Sequence, residues 1–72
     1  MRYELKSKRV LKGISAKEAA KMLGKSYVSY NKKEAGEVGF TPAEMVVLAD
    51  KLDLSYDEFN RIFFDGKLAL KG

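Results

Sequence analysis

The sequence contains no cysteine, no histidine and no tryptophan, and only one proline. Without cysteine there is no disulfide framework, and without cysteine or histidine the usual zinc sites are excluded. The same absences remove the Ser-His and Cys-His pairs on which most nucleophilic hydrolases depend. No apolar run approaches the roughly 18 residues of a membrane span. The opening Met1-Arg2-Tyr3-Glu4 does not lead into the apolar stretch of a secretory leader, so a cytoplasmic protein is expected. Neither a glycine-rich phosphate loop nor a calcium loop occurs. The acids that cluster, Asp50 with Asp53 and Asp57 with Glu58, fall at expected helix ends, where they cap and solvate. No enzyme, cofactor, metal or small-molecule ligand is expected.

What remains is one small domain of 72 residues, 46% of them apolar. A chain of this size buries only about 60% of the surface it exposes when unfolded, so packing must supply its stability. The net charge of +4 is unevenly spread. Residues 1–36 carry ten Lys/Arg against three acids, a balance of +7, whereas residues 37–72 carry four against seven, a balance of −3. A basic half joined to an acidic half assigns one face to a polyanion and leaves another for a different partner.

Helix punctuation is unusually complete. Three times a hydroxyl residue precedes a glutamate by three positions, at Ser15/Glu18, Thr41/Glu44 and Ser55/Glu58. Each pair fits a capping box, in which the hydroxyl accepts from a first-turn N–H and the glutamate reaches back. Pro42 stands where proline costs least, at a first helical position. Gly13, Gly24 and Gly36 fall where helices should end. The fold is therefore expected to be all-α, with helices at about 3–12, 16–23, 27–35, 42–52 and 56–64 and a short apolar tail over 65–72. Helical spacing assigns to the core Leu5, Leu11 and Ile14, then Ala19, Ala20 and Leu23, then Met45, Leu48, Ala49 and Leu52. Phe59, Ile62 and Phe63 follow, with Leu54, Tyr30 and Phe40 completing it.

The informative stretch runs from Ser15 to Gly36. Two short helices meet across a turn containing Gly24, and Ser26 is placed to cap the second. That is helix-turn-helix geometry, which projects its second helix toward a DNA major groove. The third helix would span about 13 Å, with Tyr27, Val28 and Ser29 at its tip and Lys32 one turn on.

Here the chain resembles the Cro/CI-type (XRE-like) helix-turn-helix domains of phage repressors and bacterial regulators. The likeness covers about residues 4–64. It is carried by Leu5 to Arg9, Gly13-Ile14-Ser15, Glu18, Ala20, Leu23-Gly24, Ser26, Tyr30, Glu34, Gly36, Leu48-Ala49 and Leu52 to Ser55. The run Ser29 to Gly36 followed by Phe40-Thr41 is similar to small switch proteins of temperate phages of Gram-positive bacteria. The resemblance implies a compact five-helix domain working in a bacterial host cell at a lysis-lysogeny switch. It implies base contacts from Ser26, Tyr27, Val28, Ser29 and Lys32, and phosphate contacts from Ser15, Lys17, Lys25 and Lys33. It also implies a buried structural ion pair between Arg9 and Glu34.

Several positions depart from that pattern. Ala16 stands where a glutamine commonly bonds a phosphate. Val28 can touch only a thymine methyl, and tyrosine is a poor base reader beside a bidentate amide or guanidinium. The segment Glu37-Val38-Gly39 is acidic where a basic loop is usual. Tyr27 and Val28, with Val46, Val47 and Phe64, form an alternative set of contacts for a protein partner, and Leu68 and Leu70 extend the apolar material. Two principal readings stand. One is a repressor binding double-stranded operator DNA through its third helix, with a possible homodimer reading half-sites about 34 Å apart. The other is an antirepressor that grips a partner phage repressor, its acidic half complementing that partner's basic DNA-reading face. An antitoxin is a further use of the same fold.

Overall fold

A computed structural model describes residues 3–66. Five helices follow one another: α1 (Tyr3–Leu11), α2 (Ala16–Met22), α3 (Tyr27–Glu34), α4 (Pro42–Lys51) and α5 (Tyr56–Phe64). No strand occurs among the described residues. The tail residues Leu68 and Leu70 lie outside them.

All three capping boxes form, with both reciprocal bonds present at Ser15/Glu18, Thr41/Glu44 and Ser55/Glu58. Ser26 caps α3 by accepting from the Ser29 N–H at 3.1 Å. These are contacts across three residues of chain, so they act before any tertiary structure exists. The first four helices end one residue earlier than the sequence predicts, and after α2, α3 and α4 that residue (Leu23, Ala35 and Leu52) is the C-cap. Gly13, Gly24 and Gly36 all take positive φ. At the α2–α3 corner, Gly24 (φ 67°) lets Lys25 N–H reach back to Ala20 C=O at 2.9 Å, closing the helix with a Schellman turn. The same closure after α4 is made by Asp53 at φ 51°, with Leu54 N–H bonded to Ala49 C=O at 3.0 Å. Aspartate tolerates that left-handed conformation better than most residues, which is why no glycine marks this end.

The core is built from Leu5 of α1, Ala19 and Ala20 of α2, Tyr30 of α3, Leu48 of α4 with Leu52 after it, and Ile62 and Phe63 of α5. Phe40 enters it from the loop between α3 and α4. The alanines let α2 approach closely, while a run of rings joins α3 to α5. Tyr30 meets Phe40 edge-on at 6.2 Å, Phe40 meets Phe63 at 5.5 Å, and Phe63 meets Phe59 at 5.2 Å.

Two expectations need correction, one for the core and one for the partner surface. Leu11 is 80% exposed. The buried face of α1 is set by Leu5 and Arg9, four residues apart, and a residue two positions beyond Arg9 points away from it. The inward apolar position is taken instead by Ile14 after the turn. Phe64, expected as a partner contact, is half-buried and packs on Phe59 at 5.8 Å, so it belongs to the domain's own apolar layer.

Candidate nucleic-acid interface

α3 has two chemically different faces. Its inner face carries Tyr30, Lys33 and Glu34, all buried. Glu34 accepts from Arg9 Nε at 3.1 Å and Arg9 Nη2 at 3.0 Å, and from the Tyr30 hydroxyl at 2.6 Å. The remaining Arg9 donor, Nη1, bonds the Ile14 carbonyl at 2.9 Å. This bidentate pair therefore has its main donors and acceptors satisfied. The bond to Glu34 raises the Arg9 pKa above its ordinary value despite burial. Burial first, and the neighbouring Glu34 second, push the Tyr30 phenol well above its ordinary value. Both groups stay protonated at any physiological pH.

Lys33 is a correction to the expected phosphate contacts. It is only 7% exposed. Its Nζ donates to Glu44 Oε1 at 2.9 Å and to the Gly39 carbonyl at 3.1 Å, and it lies 5.9 Å from the centre of the Phe40 ring. A lysine held in this way cannot reach a phosphate. The signal was available: residue 33 is three positions after buried Tyr30, hence on the same helical face. Burial disfavours the Glu44 carboxylate, but the Thr41 backbone N–H and the Lys33 ammonium outweigh it and hold its pKa below the ordinary value. Glu44 Oε2 is buried with no hydrogen-bond partner among the described residues.

The outer face begins with Tyr27, 46% exposed, and Val28, 64% exposed. Ser29 and Asn31 are half-buried, and Lys32 is exposed. Ser26 and Ser15 are exposed with their hydroxyl oxygens engaged as caps, which leaves each O–H free to donate. Lys17 Nζ lies 5.9 Å from the centre of the Tyr27 ring, linking the first turns of α2 and α3. Lys17, Lys21, Lys25 and Lys32 are exposed and form no ion pair with any described residue. Lys21 and Asn31 were not among the expected contacts, although Lys21 lies one turn after Lys17. Ala16 is half-buried against the core and offers no polar group. Val46 is 65% exposed on α4, while Val47 is half-buried. A further exposed apolar strip, Tyr3, Val10 and Leu11, runs along α1.

Among the described residues no cluster of His, Cys, Asp or Glu could hold a metal, and no helix is long and apolar enough to cross a membrane. Two short helices at a glycine corner, the second capped, braced from behind by two buried ion pairs and fronted by unpaired lysines, define a helix-turn-helix regulator. The family comparison agrees: the helix-turn-helix family model matches residues 5–59, and the chain belongs to that family. The family places it among DNA-binding transcription regulators of the Cro/CI type. No curated protein and no solved structure gave a significant match.

Proposed function

We propose that this protein regulates transcription at the genetic switch of a temperate phage or prophage, docking α3 on operator DNA. The carrying observation is the distribution of unpaired cations. Lys17 and Lys21 on α2, Lys25 in the corner and Lys32 on α3 gather on one face with no ion pair to any described residue, with Lys6 and Lys51 the other unpaired cations, whereas Lys8, Arg9 and Lys12 are matched by acids of the protein itself. Ser15 and Ser26 add hydroxyl donors at the two helix starts. In this reading phosphates meet Ser15, Lys17, Lys21, Lys25 and Lys32, and bases meet the tip of α3. The phage setting rests on the likeness of Ser29 to Thr41 to small switch proteins.

A second reading is favoured by a specific feature, the apolar tip. Tyr27 and Val28 project from α3 with exposed Glu37 beyond its end, a combination suited to a protein surface. The apolar tip would then anchor a partner repressor, while the acidic second half complements that partner's basic DNA-reading surface. The protein would act as an antirepressor, similar to the modulators of repression of lactococcal phages.

Fluorescence anisotropy on duplexes from the intergenic region beside the gene separates the two. Operator binding predicts selective association by the protein alone, with log affinity falling against log salt at a slope of about −3 to −4 for four lysines on phosphates. Weak, unselective binding, together with altered DNA affinity of the divergently encoded repressor on mixing, supports the antirepressor.

A further inference from the structure

Val28, Asn31, Lys32 and Ala35 line one groove of about 310 Å³ along α3, with Glu34 at its inner edge and Glu37 beyond the helix end. Their spacing of three, four and seven residues places them along a single stripe. Two features of that stripe restrict what it can read. Val28, its most exposed apolar side chain, has no hydrogen-bonding atom and offers only a methyl surface. The Asn31 side-chain amide bonds no described residue, so both its donor and its acceptor are available. Neither α2 nor α3 contains an arginine, so the planar fork that reads guanine bidentately is missing.

We infer that the outer face of α3 reads A·T base pairs, with Val28 seated on a thymine 5-methyl group and Asn31 bonded to N6 and N7 of an adenine. This rests on the operator-binding reading above and names the bases that reading leaves open. An amide presents one donor and one acceptor in the spacing that adenine offers in the major groove. Side chains three residues apart on a helix stand about 5–6 Å from one another. Base pairs rise by about 3.4 Å, so Val28 and Asn31 address neighbouring pairs. Glu37 closes the far end with a negative charge, which keeps phosphates from that end and directs the approach to the Val28 end. Lys32, a flexible point charge, adds phosphate attraction more than base discrimination.

The test starts from a pool of duplexes randomised at their central positions, from which the full chain retains its preferred sequences. The best-retained duplex is then rebuilt with deoxyuridine in place of thymidine, and separately with 7-deazaadenine in place of adenine. Removing the contacted methyl should weaken binding about fourfold, and Val28→Ala should abolish that sensitivity. Removing N7 should weaken binding about fivefold, and Asn31→Ala should abolish that sensitivity. Both side chains lie on the outer face, and circular dichroism verifies that each variant remains helical. A G·C-rich retained set, or analogue effects that are absent or survive the matching substitution, overturns the base assignment and leaves operator binding standing. Retention of no preferred sequence overturns operator binding and this assignment together.

Discussion

Two surfaces of this domain carry similar numbers of basic residues and use them in opposite ways. Along the seam between α1 and α5, Glu4 pairs with Arg61 at 2.7 Å, Lys8 with Glu58, and Lys12, just beyond α1, with Asp53 at 2.6 Å. Positions 4 and 8 ascend α1 while their partners 61 and 58 descend α5, so the two helices run antiparallel and their charges interlock. On the α2–α3 face Lys17, Lys21, Lys25 and Lys32 form no ion pair with any described residue. The net charge of +7 in residues 1–36 therefore overstates the basic surface. Three of its lysines, Lys8, Lys12 and Lys33, are matched across the fold by acids of the second half. Excess charge by region becomes informative only after these internal pairs are subtracted.

The largest way to break this contrast is from behind. Glu34→Ala leaves Arg9 and the Tyr30 hydroxyl buried without their acceptor, and should cost about 3–5 kcal/mol in chemical denaturation. Replacing both partners, Arg9→Leu with Glu34→Leu, should recover much of that loss, because an apolar pair carries no desolvation penalty. Lys33→Met should cost about 2 kcal/mol, less than Glu34→Ala because the Thr41 N–H still bonds Glu44 at 2.8 Å. It should leave the salt dependence of DNA binding unchanged, which distinguishes a buried strut from a phosphate contact.

Acid sharpens the seam. The Lys8 ammonium and the Ser55 backbone N–H lower the Glu58 pKa from 4.5 to about 2. Lys12 lowers that of Asp53, and Glu44 is lowered by Thr41 and Lys33 despite its burial. A carboxylate with a depressed folded-state pKa contributes stability above its unfolded value and loses that contribution as pH falls through the folded value. The melting temperature should therefore decline between about pH 5 and pH 2, and Glu58→Gln should flatten part of that decline. Lys12→Ala should lower the melting temperature only slightly, since both partners are solvent-exposed. Smallest of all in stability is Lys32→Ala, expected within about 0.5 kcal/mol of the parent. Yet that substitution should reduce the slope of log affinity against log salt by about one, read by titrating a duplex at several salt concentrations. A Lys33 variant with the larger binding effect, or a Lys32 variant with the larger folding effect, would reverse the assignment of the two faces.

Reading the residues in order located the helices well and the site only in part. Ser15, Thr41 and Ser55 start helices through bonds three residues long, so chain order alone contains the signal. Leu11 shows where that local reading fails, because apolar character does not say which side of a helix faces inward. Lys33 shows the same failure for charge. It sits in a basic run with Lys32, and the two adjacent lysines have opposite fates because they are about 100° apart around the helix. Asp53 was obscured for a different reason, since its left-handed turn is conventionally marked by glycine.

The sequence by itself determined the helix starts, the corner at Gly24, the all-α class and the family, because each depends on contacts within a few residues or on a pattern along the chain. Only the tertiary structure decided which charges are spent inside and which remain for a partner. Arg9 meets Glu34 across 25 positions of sequence, Lys33 meets Glu44 across 11, and Lys12 meets Asp53 across 41. No local rule specifies such distances. Packing of α1, α4 and α5 around α3 brings those acids within reach, and it leaves Lys17, Lys21, Lys25 and Lys32 facing outward.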